Sequence, residues 1–386
     1  MKILLQQNTI AHYRRRLYEQ LHALEQHEYL FVADLESDTP FMETADDTWA
    51  ARLGVHKATT RVFHLGKLTF SLQLGALQVM QRERPDAVIA LGSPYSLTAW
   101  ILVLLGRLQG TPVVLWTHGL LDDRESGAKW WLRSLLFRLS SGLLLYGDRA
   151  AQLLQQRGWS EGRTPVVYNS LDADRQESAR LEASKLSVSE VRRQFELDDA
   201  DRVIIFTGRL QPLKRLDLLV RAISKLRAAT FQVSALLIGE GTERQSLSRL
   251  AKELNVSEYI RLPGPSHSEP ELAKAFQASD LCVIPSGAGL SVMHALAYGT
   301  PVVTHRDFRH QFPEVEALVE GQTGFFFPKD DCDGLVDTLK RGLYPVSAKS
   351  ALSENCLRVI AERYNPTQHA ERLTEGVLKL ASCKTS

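Results

Sequence analysis

The sequence predicts an α/β protein built from two Rossmann-like domains, each a parallel sheet covered by helices. Short apolar runs alternate with segments of helical periodicity along the chain, a pattern typical of parallel sheets that are buried on both faces. At 386 residues the chain is too long for one ordinary core, so two domains are expected. Apolar residues make up 44% and charged residues 24%, which is the balance of a folded globular protein.

The strand candidates form one series in each half of the chain. In the first half they are Lys2–Leu5, Tyr29–Ala33, Val62–Leu65, Ala87–Leu91, Val113–Trp116, Leu143–Tyr146 and Val166–Tyr168. In the second half they are Val203–Phe206, Val233–Ile238, Ile260–Leu262, Leu281–Ile284, Val302–Thr304 and Gly324–Phe327.

The domain boundaries follow from the segments between these series. The first domain is predicted at 1–172 and the second at 201–365, with 173–200 as a linker because it is charged and lacks strand character. A helix is expected within that linker at Val188–Phe195. The run Tyr364-Asn365-Pro366 breaks the helical pattern, and 366–386 is predicted to resume as a C-terminal helix.

Charge, cysteines and apolar runs exclude several classes of protein. A net charge of +1 gives no global electrostatic reason for binding nucleic acid. The four cysteines lack CxxC or Cys/His metal spacing, which indicates reduced thiols in a cytoplasmic protein. The apolar run in MKILLQQNTI is too short for a signal peptide, and Leu97–Leu105 is too short to span a bilayer.

Two segments of the second half have the residues of a phosphate site. In FTGRLQPLKRLD, Gly208 and Arg209 follow an apolar strand, and Lys214 precedes a helical pattern. Two cations at a strand-to-helix junction suit a diphosphate, because arginine can bind two oxygens at once. A solvated helix start with ordinary surface charge is the alternative interpretation.

The second segment, PSGAGLSVMHALAYGTPVV, is a strand end, a glycine turn and a helix start. Glycines let the backbone approach a phosphate, and the free N–H groups of the first helical turn point at it. The residues predicted to bind the ligand here are Ser286, Gly287, Gly289, Leu290, Ser291 and His294. Of these, His294 is expected to reach a nucleotide or sugar hydroxyl, although a histidine here is as often purely structural.

Three features of the first half are candidates for further contacts. His118 follows the strand Val113–Trp116, and ligands of open parallel sheets bind outside the carboxyl ends of strands. Tyr13 and Arg14 begin a basic cluster that could face an acceptor phosphate or an anionic lipid, or form a solvated helix face. The segment Lys129–Phe137 interleaves Trp and Arg, as helices at a lipid headgroup boundary do, but a helix packed on a sheet has the same pattern.

No metal site or cofactor is predicted. The acidic triplets Asp172–Asp174 and Asp199–Asp201 have the DxD form, but they lie at the two ends of the predicted linker, away from any strand end that could aim them at a phosphate.

Taken together, these segments resemble the retaining glycosyltransferases of family 4, which have the GT-B fold. The resemblance is carried by FTGRLQPLKRLDLLVRAISKL, LLIGEGTERQSL, the glycine turn and EVEALVEGQTGFFFPKDD, in that order. It implies two Rossmann-like domains facing each other across a cleft, a nucleotide sugar on the second domain, an acceptor on the first, and no metal. It also implies that the C-terminal helix returns to the first domain.

The chain departs from the family pattern at two positions. The family usually carries two glutamates around the glycine turn, where this sequence has Ser286 and His294. A subgroup with a GLSxxHA-like turn is similar, so we interpret the departure as variation. The usual Gly-rich loop after the first strand is replaced by QNTIAHYRRRLYEQL.

The resemblance implies a retaining hexosyl- or N-acetylhexosaminyl-type transferase in cell-surface polysaccharide synthesis. A UDP-sugar donor and a glycan or lipid-linked acceptor are expected, with the protein cytoplasmic and in contact with the membrane surface. The predicted catalytic residues are His118 near the donor sugar, and Arg209 and Lys214 on the leaving diphosphate. Two alternatives stay open: a catalytically silent nucleotide-sugar-binding partner of another transferase, and a sugar-nucleotide 2-epimerase. A dinucleotide oxidoreductase is disfavoured because no GxGxxG follows the first strand.

Overall fold

Each half of the chain is organised around its own parallel sheet. A computed structural model describes residues 1–36, 44–66, 68–343 and 349–382. One unit comprises Met1–Asp172 together with the segment from Asn365 onwards, and the other comprises Ala173–Tyr364. The prediction of two Rossmann-like domains is confirmed.

In the described part of the first unit, six parallel strands pair in the order β3-β2-β1-β6-β7-β8. The inner strands β6 and β7 are almost wholly apolar and buried, as expected where helices cover both faces of a sheet. The strands of this sheet are β1 (Lys2–Thr9), β2 (Glu28–Asp34), β3 (His56–Lys57), β6 (Ala87–Leu91), β7 (Val113–Thr117) and β8 (Gly142–Leu145). Its helices are α1 (Arg15–His22), α2 (Asp47–Arg52), α3 (Leu74–Glu83), α4 (Leu97–Gln109), α5 (Gly127–Leu139) and α6 (Asp148–Gln156).

Two predicted strands of this half have another structure. The candidate at Val62–Leu65 belongs to an antiparallel hairpin, β4 (Arg61–Leu65) with β5 (Leu68–Leu72), and not to the parallel sheet. The candidate Val166–Tyr168 makes a single bridge to β8 at Val166. It does not extend further because Tyr168 has a left-handed backbone (φ 59°), which interrupts a strand.

In the described part of the second unit, six parallel strands pair in the order β11-β10-β9-β12-β13-β14. The strands are β9 (Arg202–Thr207), β10 (Val233–Ile238), β11 (Ile260–Gly264), β12 (Leu281–Val283), β13 (Val302–His305) and β14 (Gly324–Phe327). The helices are α7 (Ala173–Ala183), α8 (Val188–Gln194), α9 (Leu216–Ala228), α10 (Arg244–Glu253), α11 (Glu269–Gln277), α12 (Leu290–Ala297), α13 (Cys332–Leu343) and α14 (Lys349–Arg363).

Residues 173–200, predicted as a linker, form the helices α7 and α8 of the second unit. A buried ion pair holds α8 in place. The guanidinium of Arg192 donates to Asp280 Oδ2 (3.1 Å) and to the carbonyl oxygens of Ala278, Asp199 and Asp201. The high charge of this segment therefore does not mark a linker, because the charged side chain of Arg192 is buried and paired with Asp280.

The helix α15 (Pro366–Ser382) belongs to the first unit, although it follows the whole second unit in sequence. Its apolar face, with Leu373, Val377 and Leu380, joins the core beneath the first sheet. Gly142 on β8 allows this close approach, since a Cβ there would lie 2.4 Å from Leu380 Cδ2. The last four residues, 383–386, of the predicted C-terminal helix lie outside the described part of the chain.

The Arg192–Asp280 pair gives a prediction for stability. We expect Arg192→Met to lower the free energy of unfolding of the second unit by about 2 kcal/mol, because the charged hydrogen bonds that tie α8 to Asp280 and to the buried carbonyls of Ala278 and Asp201 are lost. Asp280 itself keeps the N–H of Val203 and the ammonium of Lys349 as donors. Hydrogen exchange at the amides of β9 and β12 measures this unit separately from the first. The matched control is Arg193→Met, an exposed neighbour on the same helix, which should change stability by less than about 0.5 kcal/mol. Equal losses in both variants would contradict the assignment.

Candidate functional site

The predicted phosphate-binding segments meet at one edge of the second sheet. One follows β9 and the other follows β12, and these strands are neighbours. From β9 the chain continues to β10 on one side, whereas β12 and β13 lie on the other. The carboxyl ends of β9 and β12 therefore flank the topological switch point, where open α/β sheets bind their ligands.

Lys214 joins the two segments directly. Its ammonium group donates a hydrogen bond to the carbonyl oxygen of Gly287 (2.6 Å). Gly208, with φ 140°, turns the chain at the end of β9, and a short 3-10 helix over Pro212–Lys214 leads into α9. Arg209 lies exposed on this turn, and its guanidinium has no hydrogen-bond or ion-pair partner among the described residues. The site thus presents one anchored and one unpaired cation.

The electrostatics of Lys214 depend on its neighbours. Partial burial and the nearby charge of Arg209 lower the pKa of Lys214 to about 8, and the carboxylate of Glu314 opposes this change. Glu314 is buried in the 3-10 helix Pro313–Ala317, which the sequence analysis did not assign to the site. The site therefore holds a net positive charge at neutral pH.

The glycine turn after β12 is braced by a loop that follows β13. The Ala288 N–H donates to Gln311 Oε1 (2.6 Å), and the Ala288 carbonyl accepts from the N–H of Phe312 (2.8 Å). Gly287 has a left-handed backbone (φ 61°), and a Cβ at Gly289 would lie 3.2 Å from the ring of Phe312. A side chain at position 287 would therefore strain the backbone, and one at position 289 would require a small shift of the Phe312 ring.

The start of α12 offers backbone donors beside the two cations. The N–H groups of Gly289, Leu290 and Ser291 have no hydrogen-bond acceptor among the described residues. Free N–H groups and the helix dipole together favour an anion at a helix N-terminus. Arg209, Lys214 and these amides are therefore arranged to bind the oxygens of a phosphate or diphosphate.

Ser286 and His294 occupy different environments around this turn. Ser286 is buried at its beginning. His294 is one helical turn further on, where its Nε2 contacts Glu269 Oε2 (3.3 Å) and leaves Nδ1 for a ligand. Tyr298 also donates to Glu269. Burial alone opposes the charge of Glu269, but these two hydrogen bonds outweigh it, and the pKa of Glu269 lies below its usual range.

In the first unit the predicted residues also meet at the carboxyl edge of the sheet. Arg14 lies beyond the end of β1 and donates to the hydroxyl of Tyr146 (2.7 Å). His118 lies beyond the end of β7 and stacks on the ring of Tyr146, with ring centroids 4.5 Å apart. Tyr13 also contacts the Arg14 guanidinium, 5.6 Å from ring centroid to Cζ. Like β9 and β12 in the second sheet, β1 and β6 are adjacent strands at a switch in strand order.

His118 is neutral at physiological pH. Part of the His118 side chain is exposed to solvent, but surrounding protein atoms exclude water from much of the imidazole ring. With the positive charges of Arg14 and Arg133, this desolvation lowers the pKa of His118 to about 4. A neutral imidazole donates and accepts hydrogen bonds without adding charge.

The structure thus divides the predicted residues between two sites, one in each unit. Gly208, Arg209, Lys214 and the residues of the glycine turn are together in the second unit, and Tyr13, Arg14 and His118 are together in the first. Sequence reasoning missed Glu269, Gln311 and Glu314. No sequence pattern indicates the hydrogen bond from Ala288 to Gln311. Glu269, by contrast, begins the helical pattern that precedes β12 and the glycine turn.

Family comparisons assign each unit to a class. Residues 8–170 match the model of the glycosyl transferase 4-like domain, and residues 201–343 match that of glycosyl transferases group 1. The chain therefore carries a glycosyl transferase 4-like domain followed by a glycosyl transferases group 1 domain.

Curated relatives agree with this assignment, and solved structures are similar in fold. The chain is 35% identical over 161 residues to the D-inositol 3-phosphate glycosyltransferases of Mycobacterium bovis and Mycobacterium tuberculosis, a match that covers 40% of the chain and about a third (32%) of those relatives. The fold is similar to that of Anabaena Alr3699/HepE in complex with UDP (TM-score 0.73, 18% identity, 97% of this chain and 99% of the other). It is also similar to a glycosyltransferase from Rickettsia africae (TM-score 0.73, 12% identity, 99% of each chain). The architecture is thus GT-B, as the resemblance implied.

Proposed function

We propose that this chain is a retaining glycosyltransferase that moves a hexosyl or N-acetylhexosaminyl group from a UDP-sugar to a glycan or lipid-linked acceptor in cell-surface polysaccharide synthesis. The observation that carries the proposal is the cation pair Arg209 and Lys214 beside the free N–H groups at the start of α12. The family models support transfer of a glycosyl group. A fold similar to HepE, solved with UDP and with UDP-glucose, supports a UDP-sugar.

In the proposed mechanism, the bond between the anomeric carbon and the diphosphate oxygen breaks while the acceptor oxygen bonds to the same face of that carbon. Negative charge grows on the leaving diphosphate, where Arg209, Lys214 and the amides of α12 stabilise it. The acceptor hydroxyl gives its proton to the departing phosphate. His118 lies with Arg14 in the first unit, where the acceptor is proposed to bind, and its neutral imidazole can donate a hydrogen bond there without adding charge. This scheme uses side chains and amides in place of a metal ion.

The leaving-group role of Arg209 can be tested by substitution. One well-placed donor to a developing anion is worth about 3 kcal/mol, so Arg209→Ala should lower turnover about a hundredfold or more. The measurement is UDP release from UDP-glucose by the purified chain. Arg221→Ala, an exposed arginine on α9, is the matched control and should keep full turnover. Near-normal turnover of Arg209→Ala would remove this residue from the mechanism. Wild-type protein that binds UDP-glucose but never releases UDP would favour the silent-partner alternative.

Lys214 predicts a pH dependence of donor binding. With its pKa near 8, the ammonium loses its proton as the pH rises through 8, far below the usual range for lysine. UDP keeps a constant charge there, because its last phosphate ionises near pH 6. The affinity for UDP, measured by calorimetry, should therefore fall between about pH 7 and pH 9. In Lys214→Arg the charge persists, so the profile should be flat. Identical profiles for both proteins would contradict the assignment.

We further propose contact with an anionic membrane surface through α5 and α4. Within the residues that the structure describes, no helix combines enough length and apolar character to cross a membrane. Of the two tryptophans of α5, Trp131 is 63% exposed, whereas Trp130 is half-buried under the guanidinium of Arg157 (4.3 Å). The neighbouring α4 exposes Leu104 and Leu108. The interfacial contact is thus assigned to Trp131 and these leucines.

This assignment predicts different effects for substitutions of the two tryptophans. Trp131→Ser should weaken binding to vesicles of phosphatidylcholine and phosphatidylglycerol about tenfold, because a large apolar side chain no longer enters the headgroup region. Trp130→Ser should instead lower stability and leave the vesicle affinity of the folded protein nearly unchanged. Co-sedimentation with vesicles and thermal melting measure the two effects. If Trp131→Ser binds as the wild type does, α5 is not the contact.

A further inference from the structure

Arg14 is a cation of the first unit without an anionic partner among the described residues. The three consecutive arginines differ sharply in this respect. Arg15 pairs with Asp46 (2.9 Å), and Arg16 pairs with Glu19 (3.5 Å). Arg14 donates to the phenol of Tyr146, and its Cζ lies 4.6 Å from the centroid of the Trp116 ring. Only Arg14 of the three thus carries a positive charge that no described carboxylate neutralises.

The surroundings of Arg14 contain polar atoms that lack hydrogen bonds. Its own Nε, the hydroxyl of Tyr18 and Nε1 of Trp116 are buried and have no hydrogen-bond partner among the described residues. Buried polar atoms in folded proteins are nearly always satisfied, so a group of them around one guanidinium marks a place for an outside polar group. Arg14 itself is half-buried, and its exposed part lies at the carboxyl edge of β1, where a ligand can reach it.

His118 adds a second donor beside this guanidinium. Both side chains contact Tyr146, which is uncharged. Its hydroxyl accepts a hydrogen bond from Arg14, and its ring stacks on His118. A carboxylate uses both of its oxygens on the fork of one arginine. A phosphate has further oxygens, which can accept from a neutral imidazole at the same time. The arrangement therefore fits a tetrahedral anion better than a carboxylate.

We infer that Arg14 and His118 form a subsite for a phosphate group carried by the acceptor. This inference rests on the proposed function, which places the acceptor on the first unit. It narrows the acceptor class to phosphate esters, a chemistry shared by soluble sugar phosphates and by sugars linked to a polyprenyl phosphate. Neutral glycans without a phosphate would leave the Arg14 charge uncompensated.

The test isolates this subsite from the phosphate-binding residues of the second unit. In the full chain, Arg209→Gln and Lys214→Gln together remove the two donor-site cations. Inorganic phosphate, titrated into this double variant by calorimetry, should still bind at one saturable site. Adding Arg14→Gln should weaken that binding tenfold or more, since a charged hydrogen bond is lost. Arg14→Lys, which keeps the charge without the fork, should give an intermediate affinity and guards against a folding failure of the glutamine variant.

Arg15→Gln is the matched control, because that arginine already has Asp46 as its partner. It should bind inorganic phosphate as the double variant does. The inference is overturned if the double variant shows no saturable phosphate binding, if Arg14→Gln and Arg15→Gln bind alike, or if sodium glucuronate, a carboxylate probe, binds as tightly as phosphate. None of these outcomes depends on donor binding, which is measured separately with UDP on the wild type.

A second comparison distinguishes the sources of the phosphate. Glucose 1-phosphate is titrated in solution, and phosphatidylcholine vesicles containing a polyprenyl phosphate are tested by co-sedimentation. Arg14→Gln should weaken whichever ligand is the natural class, by tenfold or more relative to Arg15→Gln. An effect of Arg14→Gln on neither ligand would contradict the assignment of the acceptor phosphate to this residue.

Discussion

Parallel strands that end at one edge of a sheet place the loops that follow them side by side, and both sites of this chain depend on that constraint. In each unit the central strand, β1 or β9, has its sequence neighbours on one side and a later strand on the other. The loops at that point diverge to opposite faces and leave a crevice between them. Lys214 and Gly287 are 73 positions apart in sequence, yet the Lys214 Nζ lies 2.6 Å from the Gly287 carbonyl oxygen because their strands are neighbours.

Charge is distributed differently at the two sites and elsewhere in the chain. The buried cation Arg192 has its carboxylate in Asp280, and the pair holds α8 to the second unit. Arg209 and Arg14, by contrast, have no carboxylate partner among the described residues. An arginine paired with a carboxylate stabilises the fold, whereas one left unpaired at the carboxyl edge of a sheet is available to a ligand. The neighbours of an arginine therefore decide whether its charge is neutralised within the fold or stays available.

The sequence predicted the fold class, and it predicted the strand ends and turns that carry the candidate residues of the second unit, because both depend on local patterns. Apolar runs, a glycine turn and a Gly-Arg pair after a strand are local, and each was found where the structure has it. The errors have physical causes that act over distance. Residues 173–200 were predicted as a linker because they are highly charged. Their burial could not be predicted locally, since Arg192 is buried through its ion pair with Asp280, far along the chain. The brace of Gln311 on Ala288 and the pairing of His294 with Glu269 likewise depend on tertiary contacts that no local pattern records.

The position of α15 has a consequence for the order in which the chain can fold. The first unit is made of two segments, and the entire second unit lies between them in sequence. Ala370, Leu373, Val377 and Leu380 complete a core whose other buried members precede Asp172. During synthesis, one apolar face of the first sheet stays partly uncovered until the whole second unit has emerged, whereas the second unit can close by itself. The unit that appears first from the ribosome is therefore the last to be finished.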